Sequence, residues 1–255
     1  MPVEYSVDRA IATITLDNPE NRNALSAALV GDVTTNLRTA EADPDVRAVV
    51  ITHRGRTFCA GADLKEQASE GGPAEGTKRM LALLRAIVEL AKPVVASIDG
   101  HVRAGGIGLV GACDIALAGP ATTFAFTEVR LGLAPAIISL TTLGRMSERA
   151  ASRYYLTGET FDAAAAERSG LITTAVDDIA TETAAVCDAL RACSPAGLAE
   201  TKPLTTRAAR AEFDDGAEHM QALSQRLFES DEAQEGIRAF LDKRPPRWAA
   251  GPAPA

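Results

Sequence analysis

The sequence predicts an α/β fold that ends in helices, on three observations. Short β-branched runs alternate with helix-period patterns from residue 3 to residue 176. At the centre, over residues 92–131, two strand-like runs flank a glycine-rich turn and a short apolar helix without charge. From Asp177 onward only helical patterns remain. The chain therefore divides into a mixed core over residues 1–194 and a helical region over residues 195–255, with the boundary at Ser194-Pro195. Its 255 residues can bury a substantial core.

Residues 3–16 alternate polar and apolar around Asp8-Arg9, a hairpin of two strands. Asn18-Pro19-Glu20-Asn21 breaks the pattern, and Ser26 is placed to cap a helix over residues 27–42. Residues 46–52 form a buried strand, followed by a loop over 53–66 in which Gly61 is the turn residue and Asp63 caps a short helix carrying Lys65. Residues 69–76 are small and polar, a surface loop. Residues 77–91 place Met80, Leu81, Leu84, Ile87, Val88 and Ala91 on one helical face. A strand over 93–98 closes at Asp99-Gly100. Gly105 and Gly106 open a buried helix over 107–113, and a strand over 115–118 ends in Gly119-Pro120. Pro135 starts a helix towards Met146. Ser147 caps the next helix to Leu156, and Thr160 or Asp162 caps a third over 161–168, which Gly170 ends. Residues 171–176 are the last strand. Helices follow over 179–192, 198–209, 211–228 and 231–243, stopped by Pro245-Pro246. The tail, residues 249–255, reads as disordered.

Composition narrows the function. A net charge of −8 leaves no broad basic surface, which argues against nucleic acid and anionic membranes as partners. The longest apolar runs are too short to span a bilayer, and the first residues form a strand pattern without the basic start of a signal peptide. Four cysteines without a C-x-x-C pair fit reduced thiols in the cytoplasm. Three scattered histidines give no metal-ligand spacing. The low aromatic share argues against base stacking.

Two strand-to-helix turns, at Gly61 and at Gly105-Gly106, are either plain turns or sites for a developing negative charge. The first turn of a helix leaves backbone N–H groups unpaired, and glycine lets a ligand oxygen approach them closely. Gly106, Gly108 and Gly111 also spell G-x-G-x-x-G. The dinucleotide reading is set aside, because residues 101–105 separate this match from the preceding strand and no acid closes the next one.

Taken together, NRNALS, RTFCAGADLKE, KPVVASIDGHVRAGGIGL, ACDIALA, TFAFTEVRLGLAP and YYLTGETFDAAAAERSGLI resemble the crotonase family, the enoyl-CoA hydratase and isomerase superfamily. The resemblance runs from about Val3 to Trp248. It implies ββα turns wound into a spiral, a helical C-terminal region that packs subunits together as trimers or dimers of trimers, and a coenzyme A thioester as substrate, with no separate cofactor. It places an oxyanion hole at the backbone N–H groups of Ala62 and Gly105, and a catalytic glutamate at Glu128. It sets Arg22, Asn23 and Ala24, and Ala60, Gly61, Ala62, Asp63, Leu64 and Lys65, against the coenzyme, with Gly106 beside the oxyanion donor and Phe240 and Lys243 in the C-terminal segment that often completes a neighbour's pocket. A surface glutamate at a strand end is the plainer reading of Glu128, and burial distinguishes the two.

The chain departs from the family at two places. Where hydratases of the best known type carry a second glutamate, this chain has Gly108; His101 and Arg103 are the nearest groups that could substitute. Ile137 and Ile138 stand where many members have a glycine-rich turn, and the pairing of GGIGL with PAIIS resembles a branch that includes methylglutaconyl-CoA hydratase-like proteins. The resemblance therefore implies reversible hydration of a 2,3 double bond, with double-bond isomerisation by one carboxylate, or acyl-CoA binding without turnover, as the alternatives.

Overall fold

The computed structural model describes residues 2–67 and 72–249, with the side chains of all but Lys65 and Gln67. The chain opens with the hairpin β1 (Val3–Asp8) and β2 (Ile11–Leu16), in register from Val3 opposite Leu16 to Asp8 opposite Ile11. Its turn is Arg9-Ala10, both residues at positive φ (43° and 65°), the twist that suits a tight hairpin. Helix α1 (Ala27–Ala42) starts at Ser26, whose Oγ accepts the N–H of Leu29.

Three units of two strands and helix follow. The first is β3 (Ala48–His53), β4 (Thr57–Cys59), α2 (Leu64–Gln67) and α3 (Gly72–Glu89). The second is β5 (Val94–Ile98), β6 (His101–Arg103) and α4 (Gly105–Ala112). The third is β7 (Ile115–Ala118), β8 (Thr123–Ala125), a 3-10 turn over Thr127–Leu131 and α5 (Ala136–Thr142). Next come α6 (Glu148–Thr157), β9 (Phe161–Asp162), α7 (Ala163–Ser169), β10 (Thr174–Ala175) and α8 (Ile179–Arg191). The chain closes with α9 (Pro195–Thr205), α10 (Arg207–Phe228) and α11 (Asp231–Leu241).

Each unit sends its first strand to one sheet, ordered β1-β2-β3-β5-β7-β10, and its second to another, ordered β4-β6-β8-β9. Within each sheet the strands of successive units are parallel. This winding is the ββα spiral. The second strands are only three residues long, too short to show a period of two. That is why the sequence reads β4 and β6 as loop.

Helix α4 explains the glycine run. From Gly106 to Ala112 every residue is buried. A Cβ on Gly106 would lie 2.8 Å from Cys59 Cβ, and one on Gly111 would lie 2.7 Å from Thr141 O. The fingerprint glycines thus let α4 wedge between β4 and α5, and serve packing.

Two expectations change. Residues 72–76, expected in a surface loop, form the start of α3; residues 69–71 of that loop and the tail from 250 lie outside the described residues. The last strand shrinks to Thr174–Ala175. The C-terminal helices fold over their own core, with α10 packed on α3 and α5 and α11 packed on the 3-10 turn. Lys202 ties α9 down: its buried Nζ meets Asp114 Oδ2 at 2.8 Å and donates to the carbonyls of Ile87 and Lys92. No helix among the described residues is long and apolar enough to cross a membrane.

Candidate active site

Two chain reversals converge beneath α1 and α3. At the first, Gly61 has φ +89°, and a Cβ there would lie 2.8 Å from Ala104 Cβ and 3.3 Å from Gly105 N. Only glycine lets this turn come so close to the head of α4. Leu25 N–H donates to Gly61 O at 2.8 Å, and Leu25 bridges Ala62 in parallel register. In a parallel bridge the bonds run to the partner's neighbours, so the Ala62 N–H faces away from Leu25.

At the second reversal Ala104 precedes α4 with φ 47° and ψ −121°. An L-residue held there costs roughly 1–3 kcal/mol, and such strain persists only where the surroundings enforce it. Here they do: Ala104 N–H donates to Ala125 O at 3.2 Å and Ala104 O accepts Ile107 N–H at 2.8 Å. Gly105 is the first residue of the helix, where backbone N–H groups have no intrahelical partner. Among the described residues neither the Ala62 nor the Gly105 N–H has an acceptor.

Both residues line a cavity of about 590 Å³. Glu128 lines it too, from the 3-10 turn that follows β8. The residue is half-buried, but its Oε2 is fully buried and has no hydrogen-bond partner among the described residues. Burial pushes its carboxyl up to about 7, opposed only in part by its own backbone N–H. The turn is gripped on both sides. Before it, Phe126 packs on Tyr155, ring centroids 4.3 Å apart. After it, α11 presses close: a Cβ on Gly236 would lie 2.5 Å from Leu131 O, and one on Gly132 would lie 2.7 Å from the backbone of Glu232.

The rest of the wall separates into two characters. Arg22, Ala24, Ala60, Asp63 and Leu64 line it near the Gly61 turn. Leu25, Met80, Leu133, Pro135, Ile137 and Ile138 form an apolar part, with Leu227 and Phe228 from α10. Arg79 also borders the cavity and has acidic neighbours, Glu66 at 3.8 Å and Glu75 at 4.0 Å. Asp63 Oδ1 accepts the Glu66 N–H and so caps α2, as its position suggests; its Oδ2 accepts from Asn21 Nδ2 at 2.7 Å.

Of the residues singled out from the sequence, Arg22, Ala24, Ala60, Ala62, Asp63, Leu64, Arg103, Gly105, Glu128 and Phe240 come together at this cavity. Gly61 and Gly106 lie behind its wall as close-packing positions. Asn23 corrects the expectation: it is wholly buried, its amide donating to Arg54 O and Thr57 O and its Oδ1 accepting the Asn18 N–H, so its side chain clasps the loop. Lys243 is exposed and outside the cavity wall. Lys65 stands in α2, its side chain outside the described set. His101 and Arg103, read as loop groups near the glycines, lie on strand β6. His101 Nδ1 pairs with Thr123 Oγ1 at 2.9 Å, and the Arg103 guanidinium donates to Val102 O, Thr123 O and Thr123 Oγ1. His101 lies outside the cavity wall, whereas Arg103, held by these bonds, lines the cavity beside Ala104.

The space at residue 108 is filled by carbon. A Cβ on Gly108 would lie 2.5 Å from Ile138 Cγ2 and 3.3 Å from Leu84 Cδ1. Sequence reasoning also missed the strained Ala104 and the cavity-facing Met80, Leu227 and Phe228. Met80 reads only as one of a row of apolar helix residues, and an alanine before two glycines carries no sign of its backbone angle.

The Enoyl-CoA hydratase/isomerase family profile matches residues 6–251. The chain is similar to a "Probable enoyl-CoA hydratase" of Mycobacterium bovis, 32% identical over 94% of this chain and 95% of that protein. Among solved structures it is similar to an enoyl-CoA hydratase from Mycobacterium avium, 53% identical with a TM-score of 0.91, covering 97% of this chain and 98% of that one. An enoyl-CoA hydratase of Mycobacterium smegmatis aligns at 30% identity and a TM-score of 0.78, over 98% of this chain and 100% of that one. With the spiral of ββα units and the profile match across nearly its whole length, the chain belongs to the enoyl-CoA hydratase/isomerase family, the crotonases.

Proposed function

We propose that the protein is a hydro-lyase that adds water reversibly across the 2,3 double bond of an enoyl-CoA thioester. The Ala62 and Gly105 N–H groups donate to the thioester oxygen. Glu128, as the carboxylate, takes a proton from water as the water oxygen bonds to the β-carbon. The electron pair moves through the double bond to the thioester oxygen, and the resulting enolate is what the two amides stabilise; each such donor is typically worth about 3–4 kcal/mol. Glu128 then returns the proton to the α-carbon. One carboxylate completes the cycle, in keeping with Ile138 over Gly108. In the reverse direction the same groups expel water.

The observation that carries this reading is the buried, unpartnered Oε2 of Glu128 in the wall of the cavity that Ala62 and Gly105 also line. A group tuned to about 7 can both accept and return a proton near neutrality. Arg22 and the 60–64 segment are the coenzyme's side of the cavity in this reading. The test is product analysis with a 2-enoyl-CoA. Formation of the 3-hydroxyacyl-CoA, lost in Glu128→Gln with thioester binding retained, supports it. Conversion of a 3-enoyl-CoA to the 2-enoyl isomer without hydration would point to isomerisation, and binding without turnover to a carrier.

We propose in addition that the protein is a homo-oligomer, a trimer or a dimer of trimers, working in the cytoplasm. Exposed Phe240, Leu241 and Trp248 near the C-terminal end supply apolar surface for such an assembly. The four cysteines are free thiols, three of them buried, which suits a reducing compartment. Light scattering of the purified protein gives the subunit number.

A further inference from the structure

The apolar part of the cavity holds one polar feature that the proposed chemistry does not use. Thr77 on α3 and Ser224 on α10 both line it and are buried, 6% and 8% exposed. Their hydroxyls face each other, Oγ1 to Oγ at 3.3 Å, across the contact between the two helices. Around them the wall is apolar: Met80 follows Thr77 by one turn, and Leu227 and Phe228 lie on the same face of α10 as Ser224.

Donor counting shows what the pair lacks. Two hydroxyls bring two O–H donors and four lone pairs, and their mutual bond uses one donor and one acceptor site. Among the described residues neither hydroxyl bonds a backbone carbonyl of its own helix or any other group. One O–H is therefore left without an acceptor. A buried donor left unmade is costly, and the usual remedy in a helix, a bond back to the carbonyl four residues earlier, is not taken.

The position is suited to the far part of an acyl chain. Met80 Cε reaches to 3.6 Å from the Cβ position of Gly105, so it sits beside the proposed thioester oxygen site. Thr77 stands one turn along the same helix, about 4.5 Å of rise away. Resting on the reading of this cavity as an acyl-CoA thioester site, we infer that Thr77 and Ser224 form a subsite for a neutral oxygen, hydroxyl or keto, carried on the acyl chain beyond the reacting carbons. The free O–H donates to that oxygen, and the unused lone pairs accept from it when it is a hydroxyl. A carboxylate is not the fit, since the arginine on this stretch of α3, Arg79, already has Glu66 and Glu75 beside it.

The test uses pairs of medium-chain 2-enoyl-CoA thioesters, each pair identical except for one hydroxyl or keto oxygen on the distal half of the chain. The wild-type protein is expected to favour the oxygenated member by about tenfold in kcat/KM, the scale of one buried hydrogen bond. The isosteric Thr77→Val with Ser224→Ala should bring that ratio to about one, and Thr77→Ser should keep it; a hydroxyl pair that only joined two helices would not move the ratio. Calorimetric binding of the corresponding saturated acyl-CoA pairs to wild type and to Ser224→Ala alone reads the same preference without turnover. It therefore separates failure of this subsite from failure of the hydration reading. Equal treatment of the two members by wild type in both assays, or an unchanged ratio in the variants, overturns the inference.

Discussion

The Cγ2 methyl of Ile138 lies 2.5 Å from where a Cβ on Gly108 would stand, so the glycine of α4 and the isoleucine of α5 share a single volume. The missing second carboxylate is therefore no vacancy awaiting a water or a stand-in acid. The space is apolar and occupied.

It follows that Gly108 and Ile138 are energetically coupled. Gly108→Ala alone should lower unfolding free energy by about 1–3 kcal/mol, the usual cost of overpacking. Pairing it with Ile138→Ala should recover part of that loss, giving a non-additive double-mutant cycle by urea denaturation. Additive effects would mean that the two side chains do not compete for the space.

Glu128→Gln should reduce hydration by about 10²–10⁴-fold, the span expected for loss of a general acid–base group. The pH profile of wild-type kcat/KM should rise through about 7, because the base form is the one that takes the proton from water.

The same residue makes a stability prediction with a definite sign. Its folded pKa, about 7, lies above the ordinary 4.5. The folded state therefore binds the extra proton between these values, and the contribution to stability is full below the ordinary value and is lost as pH rises through about 7. Glu128→Gln, which cannot ionise, should match wild type near pH 4 and exceed it above pH 8, by up to about 3 kcal/mol at roughly 1.4 kcal/mol per pH unit. Thermal melts at the two pH values check this; an unchanged gap would place the carboxylate in water.

Gly61→Ala should damage turnover more than folding. The new methyl would meet Ala104 Cβ at 2.8 Å and sit 3.3 Å from Gly105 N, at a φ of +89° that alanine resists. Displacing one amide from its geometry is expected to cost about 10²–10³ in kcat. Steady-state kinetics beside a melting curve separates the two effects.

Lys202 is the prediction remote from the site. Its Nζ is buried against Asp114 and two carbonyls, and Asp114 Oδ1 already has no hydrogen-bond partner among the described residues. Lys202→Ala would leave that carboxylate with the Val94 N–H on Oδ2 but no counter-charge, and breaking such a pair typically costs about 3–5 kcal/mol. Denaturant titration is the measurement.

The legible parts of the molecule are those with local causes. The Ser26 cap, the α1 span, the hairpin and the strand Ile115–Ala118 follow from capping chemistry and from periods of two or 3.6. Glu128 comes from the family resemblance, and the burial of its Oε2 is visible only in the fold. What stays hidden depends on long-range contact. Strands β4, β6 and β9 are too short for a pattern, and the positive φ of Ala104 is imposed by neighbours such as Ala125. The folding of α10 over its own cavity, which brings Ser224 to Thr77, joins residues 147 positions apart. Asn23 escapes a local reading for the same reason: its partners, Arg54 and Thr57, lie beyond the reach of any local motif.

A crystal structure of Glu128→Gln with a bound 2-enoyl-CoA puts the central claim to the question most directly. The thioester oxygen is predicted to lie about 2.7–3.1 Å from both Ala62 N and Gly105 N, with the carboxamide introduced at residue 128 facing the α- and β-carbons. A thioester oxygen bonded elsewhere, or residue 128 turned away from those carbons, would contradict the account.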